Sequence, residues 1–79
     1  MTTRFVIYSR AVCHLCDVLH DELTTLTVGH DVSINVVDVD SSEDLRREYG
    51  AHVPVLTSGG EEICRYRLDA KRVMAWLDG

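Results

Sequence analysis

Long apolar runs are missing from this sequence of 79 residues. None approaches the roughly 18 residues that a membrane-spanning helix needs, and the apolar run after Met1-Thr2-Thr3-Arg4 is too short for the core of a secretory signal. The expected location is therefore the cytoplasm. A long basic block is absent as well. Arg46, Arg47, Arg65, Arg67, Lys71 and Arg72 are interspersed with acids, and 8 Lys and Arg against 13 Asp and Glu leave a formal net charge of −5. Binding to nucleic acid depends on neutralising phosphates, so neither nucleic acid nor a membrane is expected as a partner. Cysteine is scarce and odd in number, at 3, where a secreted scaffold held by disulfides needs a larger, even set. Repeats, low-complexity tracts and any linker long enough to divide the chain are lacking, so residues 1–79 read as a single domain, expected to be a monomer. What remains is an ordinary globular composition, 46% hydrophobic and 27% charged, which excludes a disordered chain.

The order of elements follows from periodicity. Arg4-Phe5-Val6-Ile7-Tyr8 is a short continuous apolar run that suits a strand buried on both faces. After the bend at Ser9-Arg10-Ala11-Val12, Leu15, Leu19, Leu23 and Leu26 recur at spacings of four, four and three, which predicts an amphipathic helix over 14–27, capped by Gly29. Val32 to Val39 reads as a second buried strand. Asp40-Ser41-Ser42-Glu43 offers N-capping side chains to a short helix that Gly50 ends. Pro54 has no N–H to donate and belongs at the start of a strand, so a third strand begins at or just after it. Gly59-Gly60 turns a hairpin into a fourth strand, Glu61 to Arg67, and Asp69 to Leu77 is a closing helix with Asp69 as its cap. The order β-α-β-α-β-β-α puts a parallel right-handed crossover first and an antiparallel hairpin later.

Cys13-His14-Leu15-Cys16 carries the chemistry. A thiol attacks only as thiolate, and at a free pKa of roughly 8.5 it needs help to ionise near neutrality. Cys13 falls where the bend meets the first helical turn, so unpaired backbone N–H groups and the positive end of the helix dipole favour a negative sulfur. Arg10 and His14 add positive charge nearby. Cys16 returns to the same face one turn deeper, within reach of a mixed disulfide formed at Cys13. Cys13 is thus the expected nucleophile and Cys16 the resolving thiol. The spacing alone also serves zinc: Cys13, Cys16 and His20 share a helix face, and Cys64 or His52 would complete four ligands. A third alternative is a module that binds peptides along the Pro54 edge without turnover.

The strand end Tyr8-Ser9-Arg10, then Cys13-His14-Leu15-Cys16-Asp17, the strand end Val36-Val37-Asp38-Val39-Asp40, the helix end Tyr49-Gly50 and Val53-Pro54-Val55 resemble the small glutaredoxin-like proteins of bacteria over nearly the whole length. The resemblance implies an α/β, minimal thioredoxin-like fold with a four-stranded mixed sheet and helices on both faces. It implies a cis Pro54 whose loop faces Cys13, with the Val53 backbone pairing to a bound peptide or glutathione as an added strand. Arg10 matches the family's basic residue three before the first cysteine and Asp69 its acid at the start of the last helix; with His14 they complete the implied substrate or glutathione site. The implied activity is that of a thiol-disulfide oxidoreductase acting on protein or glutathione mixed disulfides. It holds no bound cofactor, takes glutathione as a co-substrate and is recharged by an unidentified reductant. The chain departs from the better-known glutaredoxins in having His14-Leu15 for Pro-Tyr and Arg67-Leu68 for Gly-Gly. It departs from thioredoxins in lacking a Trp at Val12 and an acid within Arg4 to Tyr8, which leaves proton transfer from Cys16 to water or another group.

Other candidates have plainer readings. His20, His30 and His52 read as surface or turn residues with no role, and Cys64 as a small buried hydrophobe. Asp38 and Asp40 read as solvated or capping carboxylates, and Tyr8 as an aromatic at the core rim beside the site.

Overall fold

A computed structural model describes residues 2–79. Four strands, β1 (Thr3–Ser9), β2 (Val32–Asp38), β3 (Val55–Ser58) and β4 (Glu61–Arg65), and three helices, α1 (His14–Leu26), α2 (Glu43–Tyr49) and α3 (Ala70–Asp78), follow in the anticipated order, with one added 3-10 turn at Val39–Ser41. The sheet runs β2-β1-β3-β4. β1 and β2 are parallel, with Phe5 beside Ile34 and Ile7 beside Val36. β3 runs antiparallel to β1, with Tyr8 opposite Val55. Among the described residues no helix is long and apolar enough to cross a membrane.

Side chains alternate across β1, so Phe5 and Ile7 point to one face, where α1 and α3 cover them. The core there joins Phe5, Ile7, Leu19, Leu23, Leu56, Ile63, Cys64 and Val73. Cys64 is accordingly the small buried hydrophobe its strand position implied. A register shift between Leu56 and Thr57 explains how adjacent Ile63 and Cys64 both enter this core: the bulge inserts one residue and turns two neighbours to the same face. Leu19 and Leu23 are almost wholly buried, and each contributes about 2 kcal/mol by leaving water. On the other face, Tyr8 stacks on Tyr49 of α2 with ring centroids 4.0 Å apart and planes 13° from parallel.

One strand differs from its reading. Val32–Asp38 is an edge strand with no fully buried residue, and Val36 is 55% exposed. A continuous Val and Ile run fits a half-covered edge as well as a buried centre, because it records β-propensity and not the number of neighbours. Val39, read as that strand's end, instead lies buried in the 3-10 turn.

Candidate functional site

The chain leaves β1 at Ser9 and reaches Cys13, whose extended backbone (φ −150°, ψ 103°) makes it the N-cap of α1. Cysteine is an unusual cap, and the role places its sulfur against the unpaired amides of the first turn. The Cys16 N–H donates to Cys13 Sγ at 3.2 Å. Cys13 and Cys16 are joined as a disulfide, with Cα atoms 5.2 Å apart. Cys13 is half-buried, whereas Cys16 is only 3% exposed. Cys13 is the more accessible of the two. His14 follows it as an exposed first-turn residue.

The Val53-Pro54 bond is cis. Because Tyr8 pairs with Val55, the loop before β3 stands at the same end of the sheet as the loop from β1 to Cys13. Pro54 is buried and Val53 half-buried. Among the described residues no hydrogen bond within the chain engages the Val53 backbone.

Arg10 and Asp69 are occupied within the fold. Arg10 Nε donates to Asp40 Oδ2 at 3.0 Å and Nη2 to Asp40 Oδ1 at 3.4 Å, while Nη1 reaches the Gly50 carbonyl at 3.1 Å. Arg46 adds a second cation 4.0 Å from Asp40. The guanidinium charge is thus balanced by a carboxylate, and Arg10 fastens the loop that carries Pro54. Asp69 caps α3 by accepting the Arg72 N–H at 3.1 Å. Asp38 caps the 3-10 turn by accepting from Asp40 N, the capping role read for it. Tyr49, half-covered against Tyr8, has its phenol pushed up to about 12, first by burial and then by Tyr8 and Glu48, so it stays a neutral stacking partner.

Two residues of this end escaped the sequence reading. His52 Nδ1 lies 2.8 Å from the Tyr66 hydroxyl, and Tyr66 takes a positive φ of 68°. Nothing local signals either: the partners are 14 apart in sequence and meet only because β3 and β4 pair. Among the described residues no group of three or more His, Cys, Asp or Glu is placed to hold a metal ion. Cys13, Cys16 and His20 do not converge with Cys64, which is buried in the core, or with His52, which faces Tyr66. A cavity of about 410 Å³ between Glu22, Leu26 and Leu68 is not lined by either cysteine of the pair.

The glutaredoxin-like domain family (DUF836) matches residues 4–78. No curated protein matches the sequence. The solution NMR structure of protein Ne2328 from Nitrosomonas europaea is similar at a TM-score of 0.86 and 34% identity, covering 95% of this chain and 91% of that one. The X-ray structure of protein XcR50 from X. campestris is similar at a TM-score of 0.72 and 35% identity, covering 94% and 95%. The holo form of glutaredoxin C1 from Populus tremula x tremuloides shares the fold at a TM-score of 0.54 and 24% identity, covering 90% and 70%.

Proposed function

The chain belongs to the glutaredoxin-like domain family, and from that premise we propose that it is a thiol-disulfide oxidoreductase with Cys13 as nucleophile and Cys16 as resolving thiol. The observation that carries the reading is the capping geometry: a half-exposed sulfur at a helix N-terminus, accepting a backbone N–H, with its partner sulfur buried one turn deeper. A helix N-terminus favours a negative sulfur, and the thiolate is the form that attacks.

Starting from the dithiol, Cys13 thiolate attacks one sulfur of a substrate disulfide. The Cys13–substrate bond forms, the substrate S–S bond breaks, and the first substrate thiolate departs. Cys16, after losing its proton to water, attacks Cys13 Sγ. The intramolecular disulfide forms and the second substrate thiolate leaves. Two electrons pass to the substrate, whose thiolates take up protons, and an external thiol reductant returns the pair to the dithiol. Substrates are protein disulfides or glutathione mixed disulfides, held as an added strand along the free Val53 backbone.

The test is release of thiol from a model disulfide, followed by mass of the protein. Cys13→Ser is expected to abolish turnover. Cys16→Ser should still attack and accumulate as the mixed disulfide. Turnover by Cys13→Ser at the parental rate would sink the proposal.

A further inference from the structure

The loop entering β3 is tied down more firmly than its sequence implies, and the ties converge on the two residues either side of Val53. On the α2 side, the His52 N–H donates to the Tyr49 carbonyl at 2.8 Å. On the β4 side, the His52 ring meets the Tyr66 hydroxyl at 2.8 Å, and the Tyr66 N–H donates to the Pro54 carbonyl at 2.8 Å. The two rings also sit edge to face, with centroids 6.2 Å apart. Tyr66 therefore grips the residue before Val53 with its side chain and the residue after Val53 with its backbone. It does so at φ 68°, a conformation that costs an L-residue roughly 1–2 kcal/mol. Such strain persists only where surrounding contacts over-determine it, and it gathers at ligand clamps.

Between the two grips stands the backbone of Val53, free of hydrogen bonds among the described residues. An N–H and a C=O held still and unpaired are what an extended peptide needs in order to add a strand; a mobile loop would have to be ordered at the moment of binding. We infer that His52 and Tyr66 form a latch that holds the Val53 edge in register for an extended polypeptide disulfide, both acting as positioning residues. The inference rests on the reading of Cys13 as nucleophile, and it deepens that reading by naming the class of substrate the latch serves. A disulfide without a peptide backbone makes no use of a strand edge, so it gains nothing from the latch.

The test compares two disulfides with one leaving group: a short unstructured peptide whose single cysteine is blocked by nitrothiobenzoate, and the symmetric aromatic disulfide of nitrothiobenzoate. Tyr66→Phe deletes only the hydroxyl, and His52→Ala its partner. Each is expected to raise KM for the peptide about tenfold, the scale of one lost hydrogen bond in a preorganised site, with kcat and the rate on the aromatic disulfide unchanged. His52→Asn, which returns a polar atom near the Nδ1 position, should recover part of the loss. An unchanged peptide KM in both variants overturns the latch, as does an equal loss on both substrates. Should Cys13→Ser retain turnover, the nucleophile assignment fails separately. The latch is then decided by binding of the same peptide as a free thiol, where Tyr66→Phe must weaken Kd about tenfold and an unchanged Kd refutes it.

Discussion

The two ends of the sheet are built from different materials. At the end where β1 begins, every sharp turn is taken by glycine: Gly29, Gly59 and Gly60 have φ of 86°, 59° and 80°, and a Cβ at any of them would meet nothing within 4 Å. Side-chain ties there are few, chiefly the Ser58 hydroxyl on the Arg4 carbonyl at 2.7 Å and the Thr2 hydroxyl on Asp31 at 3.1 Å. At the end where Cys13 and Pro54 stand, the positive φ falls on Tyr66 instead. Arg10, Asp40, His52 and Tyr66 reach from one loop to the next. The first end only has to reverse the chain. On the proposed function the second has to hold atoms in place for an incoming disulfide, and long-range side-chain bonds define positions that a glycine turn leaves soft.

Paired glycine substitutions break the comparison most directly. Gly50 sits at the close of α2 in a right-handed conformation, φ −55°, so it is not there for backbone freedom. A Cβ on it would collide with the Arg46 carbonyl and stand 3.1 Å from Arg10 Nη2. Gly50→Ala should therefore cost about 2 kcal/mol as an overpacked site, and should weaken peptide-disulfide reduction by shifting the loop that Arg10 fastens. Gly60→Ala faces open space and only the left-handed penalty, about 1 kcal/mol, with activity unchanged. Urea unfolding measures both costs. Equal losses, or lost activity in Gly60→Ala, would erase the distinction between the ends.

The same contrast explains what was legible in the sequence. Gly59-Gly60, the leucine spacing of α1 and the caps Ser42 and Asp69 are local signals, and each element stands within two residues of where its pattern puts it. The cysteine pair at the strand-to-helix junction was legible for the same reason. The partners of Arg10 were not: Asp40 and Gly50 lie 30 and 40 positions away, and they approach only once β1, β2 and α2 have packed. His52, read from sequence as a surface or turn residue, finds Tyr66 across a β-pairing. The edge position of β2 was equally hidden, since strand order is decided by which neighbours pair and leaves little trace in one strand's composition.

Asp69 offers a finer cut through the site end, because its carboxylate has two candidate duties. Its Oδ1 caps α3, while the family resemblance assigns it to glutathione. Asp69→Ser keeps a capping oxygen and removes the charge, so stability should change by less than about 0.5 kcal/mol, against about 1 kcal/mol for Asp69→Ala. If the carboxylate serves the cap alone, Asp69→Ser reduces a glutathione mixed disulfide at the parental rate. A rise in KM confined to the glutathione substrate, with stability preserved, would instead assign the charge to substrate binding.

The smallest expected effect comes from the outermost tie at the site end. Arg65 Nη2 and Nε each donate to Glu62 at 2.7 Å, beside Tyr66, the residue of the proposed latch. Hydrogen bonding to Arg65 holds the Glu62 carboxyl below its ordinary 4.5, with the charges of Arg65, His52 and Arg72 adding attraction. A carboxylate whose pKa is lower folded than unfolded contributes stability that is full above the unfolded value and disappears as pH falls through the folded one. Glu62→Gln should therefore lower stability slightly at neutral pH and converge with the parent in acid. The difference stays small because the two side chains are 40% and 37% exposed, where water and salt screen the attraction. Urea unfolding from about pH 7 to about pH 3, at low and high salt, checks it. Parallel acid limbs for Glu62→Gln and the parent would mean that this pair adds nothing to the site end, whose stiffness would then rest on Arg10, His52 and Tyr66.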